Sequence, residues 1–245
     1  MLVDELKQHK EKVVAEFREA MEFKAFTDLA YVFAKEFAGL PGNNRKLVLG
    51  HSQYASEVGM VDQEVNLNDL PSHLDNAKQN YFFSLIHQQQ VALFEHLFFD
   101  LIKILILDRP ERISKKKQID YGTIFEVSSK EDLLAKLVDR ELNEIKYKNV
   151  AEWFSYLDKL VGLPEFTKEE LDKLSEAKAC RDILVHNAGV ANKIYIRKSG
   201  DAARFDEGQK IDVSGDYTKD TWSLLVKMLI KTINPVIEKA EKTSA

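Results

Sequence analysis

Between Leu93 and Leu107 the chain is apolar at almost every position, with Phe94, Leu97, Phe98, Phe99, Leu101 and Ile102 nearly consecutive. The run falls short of the ~20 residues needed to cross a bilayer. It is also interrupted by Glu95, His96, Asp100 and Lys103. It belongs to a long helix expected to open at Pro71-Ser72 and to stop at Asp108-Arg109-Pro110. A helix that is apolar all round must be covered all round. Either other helices of the same chain enclose it, or part of it forms a subunit interface.

Composition limits what can do the covering. The 245 residues are 44% hydrophobic and 31% charged, the profile of a soluble globular protein, and hold only 10 Gly and 5 Pro. That leaves little turn material for a many-stranded architecture, so helices must supply the core. The net charge of −5 argues against steering of the whole molecule onto nucleic acid or an anionic membrane; such binding needs a local basic patch. A single cysteine excludes internal disulfides and all-cysteine zinc sites and fits a reducing cytosol. The first residues turn polar at once, so no targeting segment is expected and the expected location is cytoplasmic.

Along the chain, Leu2 to about Phe37 reads as one helix with Val13, Phe17 and Met21 on its apolar side, continued by Val32 and Phe33, and ended by Gly39-Leu-Pro-Gly. Residues 45–70 have no helical period and suggest a short strand or hairpin. Arg109 to Gly122 is a polar connection. Ser128 with Glu131, and Thr167 with Glu170, have capping-box spacing and open helices to about Tyr147 and His186. A short helix over Asn149–Leu160 lies between them. Ile194–Arg197 and Gln209–Val213 alternate like the strands of a second hairpin, and a last helix covers about Thr218–Lys242. The expectation is one mostly α domain over 1–245, a helical bundle with insertions near 40–70 and 190–215 and a small β-hairpin addition.

Phosphate loops, nucleophile elbows and zincin motifs are absent from the sequence. The informative stretch is Arg181-Asp182-Ile-Leu-Val-His186-Asn187-Ala-Gly189. A guanidinium grips phosphate as a fork, and an imidazole near its ordinary pKa can take a proton from a ribose 2′-hydroxyl or give one to the leaving oxygen. Five residues apart on an ideal helix, the two side chains lie ~140° apart and ~7.5 Å along the axis. That is poor for one regular face, and workable if a second copy supplies the other half of the site. Basic residues in a last helical turn are also explained by the helix dipole alone.

Arg181-Asp182-x-x-x-His186, on a late helix of a helical protein, resembles the Arg-polar-x(3–5)-His motif of the HEPN superfamily. The continuation through Asn187 and Gly189, and the long apolar helix with Glu95, resemble that family as well. The resemblance implies an up-and-down helical bundle, a homodimer, and a metal-independent endoribonuclease acting as a toxin or defence effector, with RNA as substrate, an antitoxin protein as a further partner and no cofactor. It implies that Arg181 and His186 are catalytic, that Asp182 orients or polarises the site, and that Asn187 holds the histidine or a phosphate. Some members are inactive binding modules. The rival is therefore a non-catalytic dimeric protein that binds a partner protein or a nucleotide. Solvent access separates the two: an Arg181 locked in an internal ion pair and a buried His186 favour a scaffold, and an open cleft lined by both favours an enzyme.

Other candidates are weaker. Glu95 can pair with Arg181 or with the histidine. Lys115, Lys116 and Lys117, with Arg109 and Arg112, form the strongest local positive cluster and could hold an RNA backbone or merely be solvated. Lys193, Arg197 and Lys198 follow the motif and could line the same cleft. His87 and His96, with Glu95 adjacent, are expected at polar edges of the bundle rather than on a metal. Cys180 is expected to pack. Tyr81, Phe82, Phe83, Phe94, Phe98 and Phe99 are expected in the core or in an interface.

Overall fold

The computed structural model describes residues 2–40, 45–49, 57, 63–113 and 118–244. Helix α1 spans Leu2–Ala38. An antiparallel pair follows, β1 (Lys46–Leu49) on β2 (Gln63–Asn66), with Lys46 opposite Asn66 and Leu49 opposite Gln63. Helix α2 (Leu70–Ala77) passes through a wide π turn, Lys78–Phe82, directly into α3 (Phe83–Asp108). At the end of the polar connection begins a helix that the sequence pattern did not suggest, α4 (Tyr121–Phe125). Its cap is Asp120, whose carboxylate accepts from the Thr123 N–H at 2.9 Å.

Helices α5 (Lys130–Lys146), α6 (Val150–Val161) and α7 (Lys168–His186) begin at side-chain caps. The capping boxes Asn149–Glu152 and Thr167–Glu170 are both formed. The start of α5 lies one residue later than the Ser128–Glu131 spacing implies. Ser129 accepts from the Asp132 N–H, while the Ser128 hydroxyl donates to the Asp132 carboxylate at 2.7 Å. The second expected hairpin does not form. Lys193–Ser199 is a helix, α8, because the Asn192 side chain accepts from the N–H groups of both Ile194 and Tyr195. Residues 203–213 are largely irregular, with one isolated bridge between Val190 and Lys210. Helix α9 (Gly215–Ser244) closes the bundle. The protein is thus a mostly α bundle with a single small hairpin among the described residues.

The greasy helix is covered on most sides by its own chain: α1, α5, α6, α7 and α9 all pack on α3. A narrow row through Leu85, Gln89, Ala92, His96, Lys103 and Leu107 faces solvent, so the helix is not covered all round. Phe98 contacts the rings of Phe94, Phe99, Trp153 and Phe154 at centroid distances of 5.0–6.1 Å. The indole N–H of Trp153 donates to the Ile145 carbonyl, so its burial leaves no donor stranded. Residues 190–213 pack on α7 around a second cluster of Cys180, Ile183, Tyr195, Ile211 and Val213. Among the described residues no helix is long and apolar enough to cross a membrane.

Helix α1 departs from the expected pattern. Leu6, Val13 and Phe17 are buried, but Phe23, Phe26, Leu29, Val32 and Phe33 are exposed. The first half of the helix packs on α3 and α9, and the apolar side of the second half faces outward. Of the aromatic series, Phe94, Phe98 and Phe99 are core, while Tyr81 is exposed.

Removing the ring at the centre of the core, Phe98→Ala, is expected to lower the unfolding free energy by ~3–5 kcal/mol. Tyr147→Ala, at a ring that is 92% exposed, should stay within ~0.5 kcal/mol. Urea unfolding of both variants checks the pair.

Candidate functional site

The last two turns of α7 carry the motif. Ile183 and Cys180 face the second cluster, which turns the neighbouring positions Arg181 and Asp182 toward α3 and α8. The helix ends at His186. Asn187 caps it, and its N–H and that of Gly189 both donate to the Ile183 carbonyl, at 2.9 and 3.0 Å. Gly189 has φ +72°, open to glycine without cost, and Ala188 at φ +50° is held in a conformation that L-residues rarely adopt. The turn is pinned from outside. Lys210 donates to the Ala188 carbonyl, and the Ile211 N–H donates to the Gly189 carbonyl at 2.7 Å.

Arg181 is three-quarters or more buried, and its guanidinium pairs with Glu95 of α3 through Nη2 and with Asp182 through Nη1 at 3.2 Å. Its Nε has no hydrogen-bond partner among the described residues. Lys178, one turn earlier on α7, lies 3.4 Å from Glu95 and 2.9 Å from Asp182 and sits 5.5 Å over the Trp153 ring. Lys198 of α8 reaches Asp182 at 3.1 Å. Three cations thus share two carboxylates. Burial alone would raise the Asp182 carboxyl, but Lys178, Lys198 and Arg181 outweigh it and hold the group below the ordinary carboxylate range.

His186 is exposed. Arg181 therefore points into the protein where His186 points into solvent, and the two do not share a face within one protomer. Asn187 is also exposed, and its side-chain amide donates to the Val190 carbonyl within its own turn. Lys193 and Arg197 are exposed on α8, one helical turn apart, rather than on a strand. Lys115, Lys116 and Lys117 lie outside the described residues. Of their expected companions, Arg112 donates to the Leu160 carbonyl at the end of α6 and Arg109 lies 3.4 Å from Asp108. The two criteria for enzyme and scaffold split: the arginine is in an internal ion pair, and the histidine is open.

Sequence reading missed a buried polar network beneath the motif. Glu176 of α7, 3% exposed, accepts from Tyr195 at 2.8 Å, from Tyr217 at 2.7 Å and from Arg204 Nε at 3.0 Å. The Arg204 guanidinium lies 3.4 Å from the centre of the Tyr217 ring. These contacts fasten 195–213 and the start of α9 to α7, and so hold the turn after His186 in place. The partners are 19 to 41 residues away from Glu176, and no local spacing announces them. Lys178 did carry a signal, at four residues before Asp182.

His87 corrects another expectation. It is fully buried rather than at a polar edge, with Nε2 3.0 Å from the Ala177 carbonyl and its ring 5.2 Å from Tyr217. Burial pushes its pKa down to about 4. Cys180 packs as expected, and burial pushes its thiol up to about 12, away from thiolate chemistry.

No protein-family model, curated protein or solved structure matches the chain.

Because the folded protein keeps His87 neutral down to about pH 4 while the unfolded chain protonates it near 6.5, the unfolded state binds the extra proton in that window. Stability is then full above pH 6.5 and falls as the pH drops toward 4, by up to ~3 kcal/mol. Urea unfolding between pH 7 and 4.5 should show this loss, and His87→Gln should flatten it, leaving the smaller contribution of the buried His9, whose pKa is also lowered by burial.

Proposed function

We propose that this protein is a metal-independent endoribonuclease of the HEPN type, a toxin or defence effector working as a homodimer in which each copy contributes Arg181 and His186 to a shared site. The observation that carries the reading is the placement of the motif. An exposed imidazole stands at the end of α7, with Arg181, Lys178 and Lys198 behind it and Lys193 and Arg197 on the adjoining helix. In an acidic molecule this is a local concentration of cations of the kind that phosphate binding needs.

The chemistry follows from these groups. His186 would accept the 2′-hydroxyl proton or protonate the leaving 5′-oxygen. Arg181 would stabilise charge building on the phosphorus-bound oxygens. Asp182 occupies one edge of the guanidinium, yet it has two further cations. An incoming phosphate can take Nη1 without leaving that carboxylate unpaired, while Glu95 keeps the fork oriented. Within one protomer the imidazole and guanidinium diverge, so the reading requires the second copy's motif to approach the first.

A second reading has its own support: a non-catalytic interaction or nucleotide-binding protein, favoured by the internal pairing of Arg181 with Glu95 and Asp182. In that case the charge network is structural.

Incubation of the purified protein with total RNA should yield 2′,3′-cyclic phosphate ends. His186→Ala and Arg181→Ala should each slow cleavage ~100-fold or more with unchanged far-UV circular dichroism, and excess chelator should leave the wild-type rate unaltered. An inert wild type, or cleavage by both variants at the wild-type rate, transfers the protein to the second reading.

A further inference from the structure

The outward side of α1 carries an ordered pattern. Phe23, Phe26, Ala30, Phe33 and Phe37 are all exposed, and they succeed one another at intervals of three, four, three and four residues. That is the spacing of a coiled-coil seam, a stripe that stays on one face of a helix and meets a second helix of the same period. The four rings are 51–68% exposed. At ~200 Å² per phenylalanine they leave roughly 500 Å² of apolar surface, and the nearby Leu29, Leu40 and Leu85 bring the patch to roughly 800 Å². A monomer's largest patch is ~300–600 Å², and one partner of a standard interface contributes ~800 Å².

The pattern is also symmetric. Ala30 is at its centre, with Phe26 and Phe33 on either side and Phe23 and Phe37 each seven residues out. An antiparallel copy of the same stripe, turned about a two-fold axis through Ala30, places Phe23 opposite Phe37 and Phe26 opposite Ala34, one residue from Phe33. The small residue falls on the axis, where two backbones approach most closely. This is the self-complementarity that an isologous interface requires. On the opposite face of the helix Lys24 and Lys78 pair with Asp28, and Lys35 pairs with Asp75. Glu22 and Glu36 flank the stripe, and both are exposed, so they can stay in water at the polar rim of a paired helix. A groove of 820 Å³ runs along one edge of the stripe between Phe23 and Leu85 and offers space for side chains from the second copy.

We propose that the second half of α1 is the homodimer interface of this protein, formed by antiparallel pairing of the Phe23–Phe37 stripe with its counterpart in a second copy. The inference stands on this surface alone and not on the chemistry of Arg181 and His186. Its test uses no RNA: a dimer inert toward RNA leaves this interface standing, a dimer that survives the stripe variants leaves the ribonuclease reading standing, and only a monomeric wild type ends both.

Sedimentation equilibrium of the full chain at micromolar concentration should return twice the chain mass. Ala30→Arg and the double variant Phe26→Asp/Phe33→Asp should return the single mass. Because all three side chains are exposed in the protomer, far-UV circular dichroism of the variants should be unchanged. Ala30→Cys adds a thiol on the proposed axis, the native Cys180 being buried, and mild oxidation should give a disulfide-linked dimer. A cysteine at Lys10, remote from the stripe in sequence, should not cross-link. A monomeric wild type, which would leave the stripe to another protein's helix or a lipid surface, overturns the proposal. So does a dimer that survives Ala30→Arg and the double aspartate variant.

Discussion

The need to cover the apolar sides of α3 organises this molecule. A helix bearing Phe94, Leu97, Phe98, Leu101, Ile102, Leu105 and Ile106 at under a twentieth of their surface exposed leaves only one narrow side for solvent, through Leu85, Gln89, Ala92, His96 and Lys103, so five other helices are recruited around the rest. The packing stabilises through transfer of apolar area from water, and it also sets where the polar groups of α3 emerge. Glu95 lies on this helix and could not be buried alone. Its pairing with Arg181 and Lys178 of α7 is how a carboxylate survives next to the core.

The charge network of α7 therefore has a structural origin and a proposed chemical use at once. Glu95 fixes the guanidinium and Asp182 is shared among three cations, so the arginine is ordered before any ligand arrives. Below it, Glu176 ties Tyr195, Arg204 and Tyr217 together in the interior. That second network secures the strained turn at Ala188 and the irregular chain after it, a segment with little regular hydrogen bonding of its own. The exposed imidazole of His186 is thereby attached to a rigid support on both sides, the helix before it and the clamped turn after it.

Much of the helical framework was legible in the residues. Thr167 and Glu170, Asn149 with its following helix, and the breakers after α1 act through contacts within a few residues, and local signals of this kind survive in the linear order. Ile194–Arg197 misled because alternation of apolar and polar residues over so short a run does not separate strand from helix. The Asn192 cap decided the matter by satisfying two N–H groups at once. The wide turn at Lys78–Phe82 left no mark on the apolar spacing.

The sequence by itself determined that this is a helical protein built around one apolar helix, and that Arg181 and His186 sit at a helix end, because helix period, capping and composition are properties of neighbours along the chain. Only the tertiary structure decided that Arg181 turns inward to Glu95, that His186 faces solvent, that His87 is buried, and that Phe23, Phe26, Phe33 and Phe37 of α1 face outward. Those outcomes depend on which residues 80 or 90 positions apart come into contact, and the balance between burial and ion pairing that settles them exists only once the helices have packed.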